Sequence, residues 1–280
     1  MPPSPTPPEP PVRLIAPARG WLPIRVDELW AYRELLYCLV WREVTVRYKQ
    51  TALGILWAIA QPVFLMVVFT IVFGRFGQLP SDGVPYPVFA FAALLPWQLF
   101  AFALAESSQS VVANQRLVSK VYFPRLIVPL ASVCVGLLDC LIAFVVLLAL
   151  MAYYGLTPGP AVLTVPIWML LAVVAALSVG LWLAALNVRY RDIRYTLPLL
   201  TQGWLLATPV AYSLSLVPAE WRAWYALNPM VGVVEAFRWA LLGGRTLPGA
   251  VWISAAASLL LLTGGLFYFR RTERTFADIL

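Results

Sequence analysis

The chain has 280 residues, 61% of them hydrophobic and only 12% charged, with a mean hydropathy of +0.81. An average soluble domain is about a quarter charged, so this composition describes a membrane protein and argues against a water-soluble enzyme. The chain has no histidine, and its three cysteines, Cys38, Cys134 and Cys140, lie in apolar sequence without metal-ligand spacing, which argues against a disulfide scaffold and against His-based metal or acid/base sites.

In chain order, residues 1–24 come first, rich in proline from Pro2 to Pro17 and without the apolar core of a secretory signal, so they read as a disordered cytoplasmic tail. Residues 25–50 follow with Leu29, Tyr32, Leu36, Leu39, Val40 and Val44 at helical spacing and charges largely on other faces. This pattern fits an amphipathic interface helix on the inner membrane surface, and it equally fits a helix packed on a partner protein.

The domain 51–280 holds six segments of about 20 mainly apolar residues, at 54–74, 87–108, 127–151, 162–186, 197–215 and 248–269. The expected fold is therefore an all-α membrane protein of six transmembrane helices. Span one contains Gln61-Pro62, where the missing proline N–H should kink the helix. Span two contains Pro96-Trp97-Gln98 and ends among Glu106, Ser107, Ser108 and Gln109.

The loop Asn114–Arg125 mixes basic residues with Leu117, Val118, Val121, Tyr122 and Phe123 before Pro124 stops its short helix. A loop made only for water has no need of those apolar side chains, so it reads as a docking element for a partner, or as an interfacial contact with lipid. Between Leu216 and Gly244 lie two pieces too short to cross, one around Trp221-Arg222-Ala223-Trp224-Tyr225 and one from Val231 to Leu242. They read as a re-entrant or interfacial pair of outer helices, tolerated where protein or a water-filled cavity covers the backbone.

Sixteen of the 20 Lys and Arg residues fall before span one, in the second-to-third and fourth-to-fifth loops, and in the C-terminal tail. Short cytoplasmic loops retain Lys and Arg, so both termini are expected in the cytoplasm, and the net charge of +7 reflects topology rather than nucleic-acid binding. No GxxxxGK[ST] stretch appears, so any ATP must be hydrolysed by another chain. Asp139 is the one carboxylate deep in a span, which marks either a functional group or a hydrogen bond within the bundle. Trp57, Phe64, Phe69, Trp97, Phe100, Trp204 and Tyr212 are candidate channel-lining aromatics, since aromatic faces stack on the C–H faces of sugar rings; each fits a lipid-facing position as well.

The stretches Arg47-Tyr48-Lys49-Gln50-Thr51, Leu53-Gly54-Ile55-Leu56-Trp57, Gln61-Pro62, Leu95-Pro96-Trp97-Gln98, Leu117–Arg125, Asn187-Val188-Arg189-Tyr190-Arg191-Asp192 and Leu227-Asn228-Pro229-Met230 resemble the type 2 ABC-exporter permeases that export O-antigen, teichoic acid and capsule chains. The resemblance covers residues 25–270, in order. It implies a homodimer of six-helix subunits around one channel in the bacterial inner membrane, with two cytoplasmic ATP-binding subunits beneath that supply ATP and Mg, and no cofactor in this chain. It also implies that Asn114, Leu117, Lys120, Tyr122, Phe123 and Arg125 belong to a coupling helix, and that Trp221, Trp224, Tyr225, Asn228, Pro229, Glu235 and Arg238 belong to outer gate helices. The substrate it implies is a polyprenyl-pyrophosphate-linked polysaccharide, O-antigen first, with teichoic acid, capsule, or a lipid or drug as alternatives. The 1–24 tail has no counterpart in the family pattern. A membrane-embedded glycosyltransferase would need a catalytic cluster, and only isolated acids are visible. A secondary carrier would need coupling sites and often internal repeats, and the sequence displays neither.

Overall fold

The computed structural model describes residues 26–49, 55–244 and 246–279, and among these all regular structure is helical. The tail read at 1–24, the junction 50–54 and Arg245 lie outside the described residues. The helices are α1 (Val26–Ala31), α2 (Arg33–Lys49), α3 (Ile55–Phe69), α4 (Tyr86–Ala113), α5 (Gln115–Lys120), α6 (Ile127–Tyr153), α7 (Val165–Arg189), α8 (Ile193–Leu206), α9 (Ala219–Tyr225), α10 (Pro229–Leu242), α11 (Ala250–Thr272) and α12 (Phe276–Ile279).

Five helical stretches among the described residues are long and apolar enough to cross a bilayer: Leu56–Phe76, Tyr86–Ala113, Ile127–Tyr153, Pro160–Arg189 and Ala250–Thr275. The segment expected as a sixth, 197–215, is different. There α8 has 14 residues, about 21 Å at 1.5 Å per residue, against a hydrocarbon core of about 30 Å. Pro209 accounts for the stop, because it offers no N–H and drives Thr208 away from helical angles. In α3 the helix runs on through Pro62, and the irregularity falls later, where Thr70–Phe76 widens into a π-helix.

The middle of the bundle is α4, whose residues from Val88 to Leu95 are all buried. It packs on α7, and both helices bury small side chains, Ala90, Ala93 and Ala103 on one and Ala172, Ala175 and Ala176 on the other. Without a hydrophobic drive between helices in lipid, close approach of small residues is what holds such a pair. At Gly180 the approach is closest: a Cβ there would lie 2.1 Å from Ser107 Oγ. The same two helices share a polar tie, Asn187 Nδ2 donating to the Ser108 carbonyl at 3.0 Å.

Two buried clusters divide the molecule. The larger one surrounds α4, α7 and α10. The smaller one gathers Leu39, Val118, Phe123, Leu126, Val188, Phe269 and Phe276, where α2, α5, α12 and the ends of α6, α7 and α11 meet. The apolar face expected on 25–50 is spent on this second cluster: Leu29, Tyr32, Leu36 and Val40 pack against it beside buried Leu39. The exposed residues on these helices include the aromatics Trp30, Tyr37 and Trp41.

Candidate functional site

The connection from α4 to α6 begins at Asn114, whose backbone ends α4 and precedes α5. Its side chain is held on both sides, with Nδ2 donating to the Ser110 carbonyl at 2.9 Å and Oδ1 accepting from Arg42 Nη2 at 2.7 Å. The short helix is thus tied to α2. Beyond it the chain divides its apolar residues. Phe123 is 4% exposed and lies in the second cluster, whereas Tyr122 is 79% exposed. The aromatic pair expected to face outward is therefore a single outward ring, because the extended backbone after Val121 turns alternate side chains to opposite sides. Leu117 is partly buried, Lys120 is exposed, and the Arg125 guanidinium lies 6.0 Å from the Phe276 ring centroid.

The second region is the irregular backbone after α8. Carbonyls in an apolar setting need donors, since an unpaired one costs several kcal/mol. Every carbonyl from Leu206 to Tyr212 has one. Tyr212 OH donates to Leu206, Asn228 Nδ2 to Ala207 at 3.3 Å, and Val210 N to Thr208. Arg238 donates to Pro209 at 2.7 Å, to Val210 at 2.8 Å and to Tyr212 at 3.1 Å, and Tyr86 OH donates to Ala211 at 2.6 Å. An arginine suits this task because its planar fork presents five donors in fixed directions.

Arg238 itself is 7% exposed. Glu235 Oε1 lies 3.3 Å from its Nη1, one turn away on α10, and the Phe89 ring lies 3.7 Å from its Cζ. The pair expected from the i, i+3 spacing is formed, and it is enclosed rather than solvated. Indeed α10 as a whole is buried nearly all round, from Pro229 to Leu241. The amphipathic run expected at 231–242 is a core helix, seated against the starting ends of α4, α7 and α11, with Gly232 N donating to Ser254 Oγ at 2.9 Å. Its first turn is organised by Asn228, whose Oδ1 accepts from Met230 N at 3.1 Å and from Trp204 Nε1 at 2.8 Å. Pro229 fits the first helical position, where its missing N–H costs nothing. At the other end Gly243, with φ of 83°, closes the helix in a conformation that a side chain would strain.

The neighbouring α9 is the opposite in character. Trp221 and Trp224 are exposed, while Tyr225 meets Tyr212 hydroxyl to hydroxyl. So the outer residues expected as one group divide: a frame of buried Pro229 and Arg238 with half-buried Asn228 and Glu235, an outward pair of tryptophans, and half-buried Tyr225 between them. The structure also separates the candidate channel aromatics. Trp57 and Phe64 are exposed on α3, Phe69, Trp97 and Phe100 are buried, and Trp204 and Tyr212 are half-buried, Trp204 meeting Phe100 edge to face at 5.0 Å.

Asp139 takes the hydrogen-bonded arrangement. Its carboxylate accepts from Arg47 Nη2 at 2.5 Å and from the Tyr48 hydroxyl, both on α2, while Ser132 bonds its own helix instead. Burial, reinforced by Asp139, pushes the Tyr48 phenol up to about 12, so it stays a donor at any physiological pH. Tyr86 was not legible as part of the site: a tyrosine at the head of a span reads as an interfacial aromatic, and only the fold brings it to Ala211.

Residues 34–242 match the family described as ABC-2 type transporter. The chain is 32% identical over 258 residues to the O-antigen export system permease protein RfbA of Myxococcus xanthus, covering 90% of this chain and 98% of that protein. It is 27% identical to an RfbA of the same description from Klebsiella pneumoniae, over 88% of this chain and 95% of that one. To the polysialic acid transport protein KpsM of Escherichia coli it is 27% identical, over 83% and 91% respectively. A family match through most of the helical bundle, together with five apolar spans, makes this chain a multi-pass membrane protein and a member of the ABC-2 type transporter family.

Proposed function

We propose that this chain is the membrane-spanning subunit of an exporter that moves a lipid-linked polysaccharide, of O-antigen type, across the bacterial inner membrane. The observation that carries the reading is the end-to-end similarity to permeases named for O-antigen export. A separate ATP-hydrolysing chain supplies the energy with its own ATP and Mg, and docks on the exposed side of α5 and the following turn, where Arg116, Lys120, Val121 and Tyr122 face outward. In this arrangement two copies of the chain enclose the path. The sixth crossing is made by α8 together with the irregular 207–213 segment, which returns both termini to the cytoplasmic side in keeping with the distribution of Lys and Arg. The α9–α10 pair then lies toward the outer face and bounds the mouth.

The test is deletion of the gene in its host and complementation with the intact chain. The expected result is loss of surface polysaccharide with accumulation of the lipid-linked chain inside, restored on complementation. Unchanged surface polysaccharide in the deletion strain would overturn the reading. Capsular polysaccharide is the second reading, favoured by the similarity to KpsM; loss of capsule with intact O-antigen in the same strain would select it.

A further inference from the structure

A groove between α3, α4 and α6 holds two cavities of similar size, one of mixed polar and apolar lining and one apolar. The first, of about 320 Å³, is bounded by Arg47, Gln61, Trp97, Gln98, Phe102 and Asp139. The second, of about 300 Å³, is apolar, and its walls include Val63, Met66, Phe91 and Leu150. Asp139 and Leu150 are eleven residues apart on one helix, roughly 16 Å at 1.5 Å per residue. The groove is polar at the α2 end and apolar farther along.

From this juxtaposition we propose that the groove binds an amphiphile with an uncharged sugar headgroup, the ring in the Gln61–Gln98 cavity and the hydrocarbon chain in the apolar one. Among the described residues the side-chain amides of Gln61 and Gln98 have no hydrogen-bond partner. Gln61 is exposed and Gln98 half-buried at the cavity, so both amides are open to a molecule that brings hydroxyls. Amides both donate and accept, and so does each sugar hydroxyl. Trp97 and Phe102 add aromatic surface for the C–H face of a ring.

The charge at the site selects against a phosphate head. Among the described residues Arg47 is the only cation lining the cavity, and its guanidinium is engaged by Asp139 at 2.5 Å and lies 4.5 Å from the Phe102 ring centroid. Cation and carboxylate cancel, leaving no positive charge to hold a phosphate. An acyl chain in the polar cavity would leave both amides unsatisfied. The volume is at the lower end of the roughly 300–1,000 Å³ found for ligand pockets, so one ring fits and an oligosaccharide does not.

The inference stands apart from the export reading, since it concerns binding alone. Its test is photolabelling of the full chain in lipid nanodiscs by a dodecyl glucoside carrying a diazirine in the alkyl chain. Adducts are expected on residues 63–66 and 146–153, displaced by octyl glucoside but not by octyl phosphocholine or free glucose at equal concentration. The double variant Gln61→Leu with Gln98→Leu should lower this labelling at least tenfold. Adducts spread evenly over the lipid-facing helices, or equal displacement by octyl phosphocholine, would overturn the proposal. Displacement by free glucose alone would overturn it as well, because the chain would then have no share in binding. The competition on the unaltered chain decides the matter even if the variant is poorly recovered.

Discussion

Arg238 reaches back 28 residues to hold the Val210 carbonyl at 2.8 Å, joining a buried helix to the irregular backbone between α8 and α9. The same guanidinium serves Pro209 and Tyr212. Replacing it by alanine leaves three carbonyls without donors and Glu235 without its partner. Breaking a buried charge pair costs about 3–5 kcal/mol. Arg238→Ala should therefore unfold at clearly lower temperature in detergent and lose export. Arg238→Lys should recover little, since an ammonium on a flexible stem cannot fork across neighbouring carbonyls. Near-normal melting of Arg238→Lys would mean that charge, not the fork, is what the segment needs.

Tyr122 and Phe123 are adjacent and should behave differently. Phe123 is buried in the second cluster, so Phe123→Ala should cost about 3–5 kcal/mol and lower the yield of folded chain. Tyr122 is exposed, so Tyr122→Ala should leave melting unchanged and weaken assembly with the ATPase partner, by about 2 kcal/mol for an interface anchor. Co-purification and a melting curve on each single variant separate the two roles. Loss of assembly in Phe123→Ala at unchanged stability would reverse the assignment.

The α4–α7 contact gives a third expectation. A Cβ at Gly180 would lie 2.1 Å from Ser107 Oγ and 3.2 Å from its Cβ. Gly180→Ala should destabilise by about 1–3 kcal/mol through overpacking. Adding Ser107→Ala removes the nearer atom, so the double variant should be more stable than Gly180→Ala alone. A double-mutant cycle with no coupling would show that Ser107 swings aside at no cost.

The spans were legible where a long apolar run sufficed, as in α4, α6, α7 and α11. At 197–215 the apolar run was legible but its irregular end was not, because hydropathy does not register where a proline ends a helix: Leu199 to Tyr212 reads as continuous, yet Pro209 divides it. The buried state of α10 was hidden for a related reason. Glu235 and Arg238 give it a polar face in sequence, but the two charges pair with each other inside the protein, so the face is not a surface. Phe123 and Tyr122 carry similar side chains, and only the turn after α5 decides which is inside. Asn228-Pro229 was readable as a helix start, whereas its bonds to Ala207 and Thr208 depend on the return of the chain.

The outer pair gives the last expectation. Trp224 is exposed to solvent or lipid and bonds to nothing in the irregular segment, whereas Tyr225 is half-buried with its hydroxyl against that of Tyr212. If α9 and α10 moved together as one gate, both positions would change environment during transport. But α10 is locked to the bundle by Arg238, Ser254 and Asn228, and α9 is held mainly through Tyr225 and through Arg222, which donates to the carbonyls of Val217 at 2.8 Å and Ser215 at 3.1 Å. The lighter attachment belongs to α9, so α9 is expected to move and α10 to serve as its frame. In a background carrying Cys38→Ser, Cys134→Ala and Cys140→Ala, Tyr225→Cys should gain reactivity toward an impermeant outer thiol reagent when the complex turns over ATP. Trp224→Cys should react at a constant rate throughout, and a cysteine replacing Val234, buried within α10, should stay unreactive. Reactivity appearing at Val234→Cys during turnover would make α10 the moving part and Arg238 a latch that opens in each cycle.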